Sequence, residues 1–222
     1  MNTELKNSIQ SSTDISNEVV NVCRRVAVKG FVAATDGNIS VRLPNGNILA
    51  TPTSLNKGFV QSEDLVELSL DGKQISGSRK PSTEMNMHLF IYQQRNDVNA
   101  VVHCHPIYAT GFAAAGIPLK ENIFPEVIVA FGNIPLAKYA TPSTEDVGES
   151  LRPFIASSDA ILLANHGVVT FGNDVWDAYF KMEKVEHIAQ TLFVAQSLGG
   201  AKQLSNEQVL QLKELSKTVY GK

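Results

Sequence analysis

The chain has 222 residues, of which 43% are hydrophobic and 18% are charged, as is typical of globular proteins and not of disordered or fibrous ones. Nineteen Lys and Arg residues against 22 Asp and Glu residues give a formal net charge of −3 without long runs of one sign, which argues against a nucleic-acid partner. The polar N-terminus and the lack of an apolar stretch of about 18 residues argue against a membrane partner and predict a cytoplasmic protein.

The first third of the chain predicts a helix followed by four strands. Residues 1–14 are predicted to be flexible. Apolar residues then recur at helical spacing between Ile15 and Ala33, and they predict an amphipathic helix that ends near Gly30. Two hairpins follow, each built around a turn rich in Asn, Asp and Gly. Their strands cover residues 39–43 and 48–50 in the first hairpin, and residues 65–70 and 73–76 in the second.

The remainder of the chain mixes helices and strands. A helix begins at Pro81-Ser82-Thr83-Glu84, and an apolar strand covers residues 99–105 and is stopped by Pro106. Further strands are predicted at residues 126–130, 136–139 and 160–164, and helices at residues 143–156, 175–197 and 206–217. Because strands and helices do not alternate regularly, we predict an α/β fold of the α+β type, a single domain over residues 1–222 with a central, mainly antiparallel β-sheet covered by helices.

The sequence His103-Cys104-His105 lies at the end of the predicted strand 99–105. Residues two apart on a strand point to the same face about 6.5 to 7 Å from each other, so the two imidazoles can converge on one metal ion. Cys104 faces the other side, and we expect it and Cys23 to be reduced thiols rather than ligands or a disulfide. The alternative is that both histidines are ordinary core or surface residues.

A third histidine, His166, follows an apolar strand in the sequence Asn165-His166-Gly167. It offers a further imidazole, although the same triplet could simply form a turn. Three neutral imidazoles with an open fourth position are a known catalytic zinc arrangement. His88 and His187 lie on predicted helices, where we expect them to be packed or exposed rather than ligating.

Hydroxyl, amide and glycine groups gather in three predicted turns. Backbone N–H groups at the N-terminus of a helix suit a phosphate dianion, but plain capping of the helix would explain the same hydroxyls. Glu84 then has three interpretations: support of the helix dipole, a general base, or a metal ligand. The polar groups are Gly37 and Asn38 in the first turn, Thr53 and Ser54 in the second, and Ser82 and Thr83 in the third.

Taken in order with Tyr139-Ala140-Thr141 and the helix at 183–190, these motifs resemble the class II aldolase/adducin family from about Glu18 to the C-terminus, and most closely its branch of L-fuculose 1-phosphate aldolases. The resemblance implies a zinc-dependent lyase of carbohydrate metabolism. Such an enzyme reversibly cleaves a small phosphorylated ketose to dihydroxyacetone phosphate and an aldehyde through a metal-stabilised enediolate.

The resemblance also implies a role for each motif. One Zn2+ per subunit would bind His103, His105 and His166, with Glu84 as a fourth ligand that leaves the metal to act as the catalytic acid/base. Substrate phosphate would bind Gly37, Asn38, Thr53, Ser54, Ser82 and Thr83. Family members form C4 homotetramers with active sites between subunits, and Tyr220 matches a catalytic tyrosine that the C-terminal tail brings to the neighbouring site.

One departure from the family pattern leaves the substrate open. The aldolase pattern has a catalytic tyrosine in the segment that corresponds to residues 122–126, where this chain has Phe124, which cannot donate a proton, and Glu126. Glu84 favours an aldolase over the L-ribulose 5-phosphate 4-epimerases, which carry aspartate there. The alternatives are a 3-oxo-tetronate 4-phosphate decarboxylase, a methylthioribulose 1-phosphate dehydratase, a 4-epimerase, and a non-catalytic adducin-like binding module.

Overall fold

A computed structural model describes residues 12–119, 122–131 and 133–220, except for the side chains of Ser12, Thr13, Val219 and Tyr220. Eight strands in these ranges form one sheet. They are β1 (Asn38–Arg42), β2 (Ile48–Ala50), β3 (Val66–Leu68), β4 (Gln74–Ser76), β5 (Ala100–Cys104), β6 (Leu136–Ala137), β7 (Ala160–Leu163) and β8 (Gly167–Gly172). Their spatial order is β4-β3-β2-β1-β5-β8-β7-β6.

Every neighbouring pair of strands in this sheet is antiparallel except β6 and β7, which confirms the predicted mainly antiparallel sheet. The central strand β5 pairs with β1 on one side and with β8 on the other. In this register His103 lies opposite Asn38 on β1 and opposite Val169 on β8. The two ladders therefore bring three distant segments of the chain together around His103.

Helices cover both faces of the sheet. They are α1 (Ser12–Val28), α2 (Met85–Gln94), α3 (Ile107–Ala114), α4 (Pro125–Ala130), α5 (Glu145–Leu151), α6 (Val175–Ser197) and α7 (Asn206–Tyr220). Because side chains alternate along a strand, Val102 and Cys104 of β5 pack in the core beside α1, α3 and α6, while Val101 packs in the core beside α2 and α5. His103 shares the face of Val101.

The predicted strand at 126–130 is wrong, because these residues form α4. Pro125 occupies the first turn of this helix, where its fixed φ suits a helix and its missing N–H is not needed. A short apolar run such as Val127–Ala130 cannot be assigned by periodicity alone. The sequence also gave no prediction for α3 or for β8, and α5 ends at Leu151, with turns up to residue 157.

The predicted flexible segment 1–14 lies outside the described residues as far as position 11, and residues 12–14 form the first turn of α1. Both cysteines are free and buried, as expected. Within the described ranges, no helix combines the length and the apolar character that a membrane span requires.

Candidate active site

The structure brings His103, His105 and His166 together as one group, called here the histidine cluster. The ring centroids lie 4.7 to 5.1 Å from one another, and one ring nitrogen from each lies within 4.8 Å of the others. His103 comes from the end of β5, and the turn between β7 and β8 supplies His166. These three side chains could hold a metal ion, with a fourth position left for another ligand.

Hydrogen bonding fixes the orientation of His103. Its Nδ1 atom donates to the carbonyl oxygen of Val168 at 2.9 Å, so Nε2 is the nitrogen left to face the centre of the cluster and to bind a metal ion. Metal-binding histidines usually make this kind of second hydrogen bond. The Nε2 atoms of His103 and His105 are only 3.0 Å apart, close enough for a hydrogen bond between the rings or for both nitrogens to bind one cation. The donor set therefore fits a zinc ion.

Glu84 closes the fourth side of the histidine cluster. Its Oε1 lies 3.0 Å from Nε2 of His166, and its Oε2 lies 3.4 Å from Nε2 of His103. Burial alone would raise the pKa of Glu84, but the adjacent His103 and His166 outweigh it and hold that pKa well below its usual range. Asn38 stabilises the same carboxylate, because its Nδ2 donates to Oε2 at 2.8 Å.

His105 is held in its neutral form. Burial, followed by the proximity of His103 and His166, lowers the pKa of His105 to about 3. Its Nδ1 lies 3.7 Å from Oδ2 of Asp36, which is too far for a hydrogen bond. Asp36 was not among the predicted site residues, and only its place in the turn before Gly37 signals it. A neutral imidazole is the form that binds a metal ion.

Two glycines allow the strand ends to approach each other. Gly37 has a φ of +72°, and a Cβ there would lie 2.5 Å from Val32 Cγ1 and 2.9 Å from the carbonyl oxygen of His103. A Cβ at Gly167 would lie 2.5 Å from Cδ2 of His105. Neither position can take a side chain without moving the histidine cluster. In the predicted turn Asn165-His166-Gly167, the residue with a positive φ is Asn165, at 56°.

The predicted phosphate-binding residues lie in three adjacent segments, residues 34–38, 51–56 and 81–84, called here the anion loops. Thr51 links the second segment to the residue that follows the first, because its Oγ1 accepts from the Ile39 N–H at 3.1 Å. Pro52 and Pro81 form an isolated bridge between the second and the third. The structure thus places the predicted hydroxyl, amide and glycine groups side by side: Gly37 and Asn38, Thr53 and Ser54, and Ser82 and Thr83.

Of the two hydroxyls that could cap the helix, that of Ser82 contacts a backbone N–H at the start of α2 and that of Thr83 does not. The N-cap residue of α2, directly before Met85, is Glu84, and its side chain makes no capping hydrogen bond. Ser82 Oγ accepts from the Glu84 N–H at 3.3 Å. Thr83 is exposed and accepts from Ser143 Oγ at 2.9 Å through its own hydroxyl. The Thr83 hydroxyl is therefore not used to cap the helix.

A buried lysine that the sequence did not single out ties two of the anion loops together. Lys57 is 1% exposed, and its Nζ donates to the carbonyl oxygens of Thr35 at 2.9 Å and Leu55 at 2.8 Å. Burial lowers the pKa of Lys57. Asn56 adds a parallel tie, since its Nδ2 donates to the Ala34 carbonyl oxygen at 2.6 Å. A long charged side chain in a turn gives no sequence signal for such a role.

The remaining predicted residues lie elsewhere or outside the described part. The side chain of Tyr220 is outside it, although α7 reaches this residue and packs against α4, with Ser216 Oγ donating to the Val129 carbonyl oxygen at 2.9 Å. Phe124 packs against the core, and Glu126 is exposed on α4. His187 is exposed on α6. The other helical histidine, His88, is fully buried and is not in the histidine cluster.

Comparison with known proteins defines the class. A family model described as Class II Aldolase and Adducin N-terminal domain matches residues 17–193. The chain therefore belongs to the class II aldolase and adducin family, as the sequence motifs indicated.

Three proteins illustrate this relationship. The chain is 37% identical to an L-fuculose phosphate aldolase of Methanococcus maripaludis, over 82% of this chain and 97% of that protein. It is 32% identical to a 3-oxo-tetronate 4-phosphate decarboxylase of Escherichia coli strain K12, over 81% of this chain and 86% of that protein. A solved L-fuculose 1-phosphate aldolase matches with a TM-score of 0.86 at 28% identity, over 95% of this chain and 99% of the other.

Proposed function

We propose that this protein is a zinc-dependent aldolase that cleaves a small phosphorylated ketose, such as L-fuculose 1-phosphate, to dihydroxyacetone phosphate and an aldehyde. The proposal rests on one observation: three imidazoles, which bind metal ions in their neutral form, and one carboxylate converge beside the anion loops. Similarity to an L-fuculose phosphate aldolase over most of both chains supports the same substrate class.

The histidine cluster and Glu84 would hold the metal. When bound, a zinc ion supplies a Lewis acid that polarises the substrate carbonyl and stabilises the negative charge that develops on its oxygen. The carbonyl of Val168 keeps the proton of His103 on Nδ1, so this ligand enters the reaction with its Nε2 lone pair in place.

Glu84 would transfer the proton. Its carboxylate lies between the histidine cluster and Asn38, so that a small movement takes it from a position of metal ligation to one of contact with substrate. In cleavage it would protonate the carbon that becomes the hydroxymethyl group of dihydroxyacetone phosphate, and in condensation it would remove the same proton.

The anion loops would orient the substrate by its phosphate. Hydroxyls of Thr53, Ser54, Ser82 and Thr83 and the amide of Asn38 offer hydrogen-bond donors to a dianion, and α2 directs its N-terminus to the same place. Binding energy from the phosphate then positions the reacting carbonyl. We also propose a C4 homotetramer, as the family resemblance implies, in which Tyr220 serves the aldehyde side of a neighbouring site.

A second candidate function is decarboxylation of a 3-oxo-tetronate 4-phosphate. It is favoured by the 32% identity to the E. coli decarboxylase and by Phe124 and Glu126, where the aldolase pattern has a tyrosine. Both reactions break the bond between the α and β carbons of a ketone and leave an enolate whose negative charge is on the ketone oxygen, so the same cluster and acid could serve either.

The test gives the zinc-loaded protein L-fuculose 1-phosphate and 3-oxo-tetronate 4-phosphate in parallel, with dihydroxyacetone phosphate and carbon dioxide as the respective readouts. We expect dihydroxyacetone phosphate from the first substrate, its loss with a chelator, and its recovery with added zinc. Carbon dioxide from the second substrate, without cleavage of the first, would replace the aldolase by the decarboxylase. Inactivity towards both would overturn the proposed function.

A further inference from the structure

A chain of buried polar side chains runs from Glu84 into the core between β1 and α2. Asn38 donates to Glu84 Oε2 at 2.8 Å, and its Oδ1 lies 2.6 Å from Nε2 of His88. On the other side of the ring, Nδ1 of His88 lies 2.7 Å from Ser40 Oγ, which lies 2.9 Å from the Tyr92 hydroxyl. Asn38 is 2% exposed, and Ser40, His88 and Tyr92 are fully buried. None of the last three is a predicted site residue.

The carboxylate at one end sets the direction of every hydrogen bond in this polar chain. An ionised Glu84 only accepts, so Asn38 must turn its NH2 group towards Glu84 and its oxygen towards His88. His88 must then carry its proton on Nε2, and its Nδ1 can only accept. The Ser40 hydroxyl therefore donates to Nδ1 and accepts from Tyr92. All four donors point towards Glu84.

Burial keeps His88 in the neutral form that this pattern requires. Desolvation lowers the pKa of His88 to about 3, with a further contribution from His103. The groups nearest to it, Ser40, Tyr92 and Asn38, are uncharged, and Arg42, beyond Tyr92, donates its Nη2 hydrogen to the Tyr92 carbonyl oxygen at 2.9 Å. A neutral ring with one donor and one acceptor nitrogen can transmit orientation from Ser40 to Asn38.

We propose that His88 is a positioning residue for the acid/base Glu84: with Ser40 and Tyr92 it locks the Asn38 amide in the one orientation that donates to the Glu84 carboxylate. This inference rests on the proposed function for its kinetic consequences, but the geometry that it assigns exists without turnover. Without this lock the Asn38 amide can rotate and present its oxygen to the carboxylate, which would repel Glu84 from its place beside His103 and His166.

Two substitutions of His88 separate its two hydrogen bonds. The amide nitrogen of a glutamine reaches the position of Nε2, so His88→Gln retains the donor to Asn38. The shorter His88→Asn reaches only the position of Nδ1, so it retains a partner for Ser40 and loses Asn38. We expect His88→Asn to lower kcat about 10- to 100-fold, as loss of outer-shell partners does, with a smaller rise in KM, because Asn38 is the one anion-loop donor that contacts His88 directly. His88→Gln should restore most of kcat.

A third variant, Ser40→Ala, tests the hydrogen bond on the Nδ1 side of the His88 ring. In Ser40→Ala, Nδ1 of His88 loses its donor, so the ring can move its proton to Nδ1 and leave Asn38 free to rotate. We expect kcat to fall about threefold to tenfold, less than in His88→Asn. This variant removes one oxygen atom and changes no buried volume appreciably, so it tests the same inference if substitution of His88 prevents folding.

Binding of Co2+ gives a measurement that needs no substrate. If Glu84 is a ligand held by Asn38, the visible absorption of the Co2+-loaded protein and its Kd should be the same in His88→Gln and the unsubstituted protein, and altered in His88→Asn. Altered cobalt binding with no turnover of any sugar phosphate by the unsubstituted protein would retain this inference and overturn the proposed function. Unchanged kcat, KM and cobalt spectra in both His88→Asn and Ser40→Ala would overturn this inference, whatever their thermal stability.

Discussion

The histidine cluster is held by the centre of the sheet, whereas the anion loops beside it are held by side-chain ties and a few hydrogen bonds between loops. His103 lies on β5, which pairs with a strand on each side, and its ring is hydrogen-bonded to β8. Apart from Asn38, which begins β1, the anion loops have one isolated bridge, a few backbone hydrogen bonds, and the ties from Thr51, Asn56 and Lys57. The candidate metal ligands are therefore positioned by the sheet itself, and we expect changes in the anion loops to have little effect on the sheet.

The first prediction tests the sheet-held region and has the largest effect. His103→Ala should abolish turnover and weaken zinc binding by more than the roughly 10- to 100-fold that loss of an outer-shell partner causes, because it removes a ligand itself. Zinc content by elemental analysis and the far-UV spectrum report the metal and the fold. His187→Ala, on the exposed side of α6, is the matched control and should keep both zinc and activity. Full zinc content in His103→Ala would show that the ligand assignment is wrong.

The second prediction concerns Glu84, which lies between the histidine cluster and the anion loops. Glu84→Gln retains the size of the side chain but cannot take up a proton, so solvent exchange of the dihydroxyacetone phosphate proton should slow about 10²- to 10⁴-fold. Zinc should remain bound through the histidine cluster. Proton exchange is followed by NMR in deuterium oxide, with Glu149→Gln, an exposed acid on α5, as the control. Normal exchange in Glu84→Gln would assign the acid/base role to another group.

Predictability from the sequence also differs between the two regions. Spacing alone indicated that His103 and His105 share a strand face, because a strand has a period of two. Their convergence with His166 could not be derived, since it depends on β8, for which the sequence gave no prediction, and on the close approach at Gly167. The prediction of a strand at 126–130 was wrong because a short apolar run is compatible with either a helix or a strand. Lys57, Ser40 and Tyr92 were missed because their roles come from tertiary contacts that no local pattern encodes.

The third prediction tests the side-chain ties of the anion loops. Lys57→Met retains the aliphatic stem but removes a buried positive charge and the bonds to Thr35 and Leu55. We expect dihydroxyacetone phosphate to bind about tenfold more weakly, which corresponds to about 1.4 kcal/mol, while zinc content stays normal. Competitive inhibition of ketose cleavage measures this affinity. Lys73→Met, at an exposed position, should change nothing. Loss of zinc in Lys57→Met would show that the two regions are not separate.

The fourth prediction concerns stability against pH. His88 has a pKa of about 3 in the folded protein, against an ordinary value of 6.5. Below pH 6.5 the unfolded chain therefore takes up a proton that the folded chain does not, and the free energy of unfolding falls by about 1.4 kcal/mol per pH unit down to pH 3. His88→Gln should remove this contribution, so its free energy of unfolding should fall less steeply with decreasing pH, by about 1.4 kcal/mol per pH unit. Urea unfolding at pH 6.5, 5.5 and 4.5 measures it, and parallel profiles for the two proteins would contradict it.

The smallest effect is expected at Ser54, an exposed residue of the anion loops with a φ of 58°. Ser54→Gly and Ser54→Ala both remove the hydroxyl, so each should raise KM for the sugar phosphate by the same few-fold factor, corresponding to about 1 kcal/mol for one hydrogen bond. They differ in backbone strain, because glycine adopts a positive φ without steric conflict and alanine does not.

Ser54→Gly should therefore unfold with a free energy about 1 kcal/mol above that of Ser54→Ala, with the same zinc content in both. Chemical denaturation and steady-state kinetics on the pair separate the two effects. A KM that follows stability rather than the loss of the hydroxyl would mean that the loop backbone, and not the Ser54 side chain, binds the phosphate. Substrate affinity would then depend on loop rigidity, which places more of the anion binding on the ties made by Lys57 and Asn56.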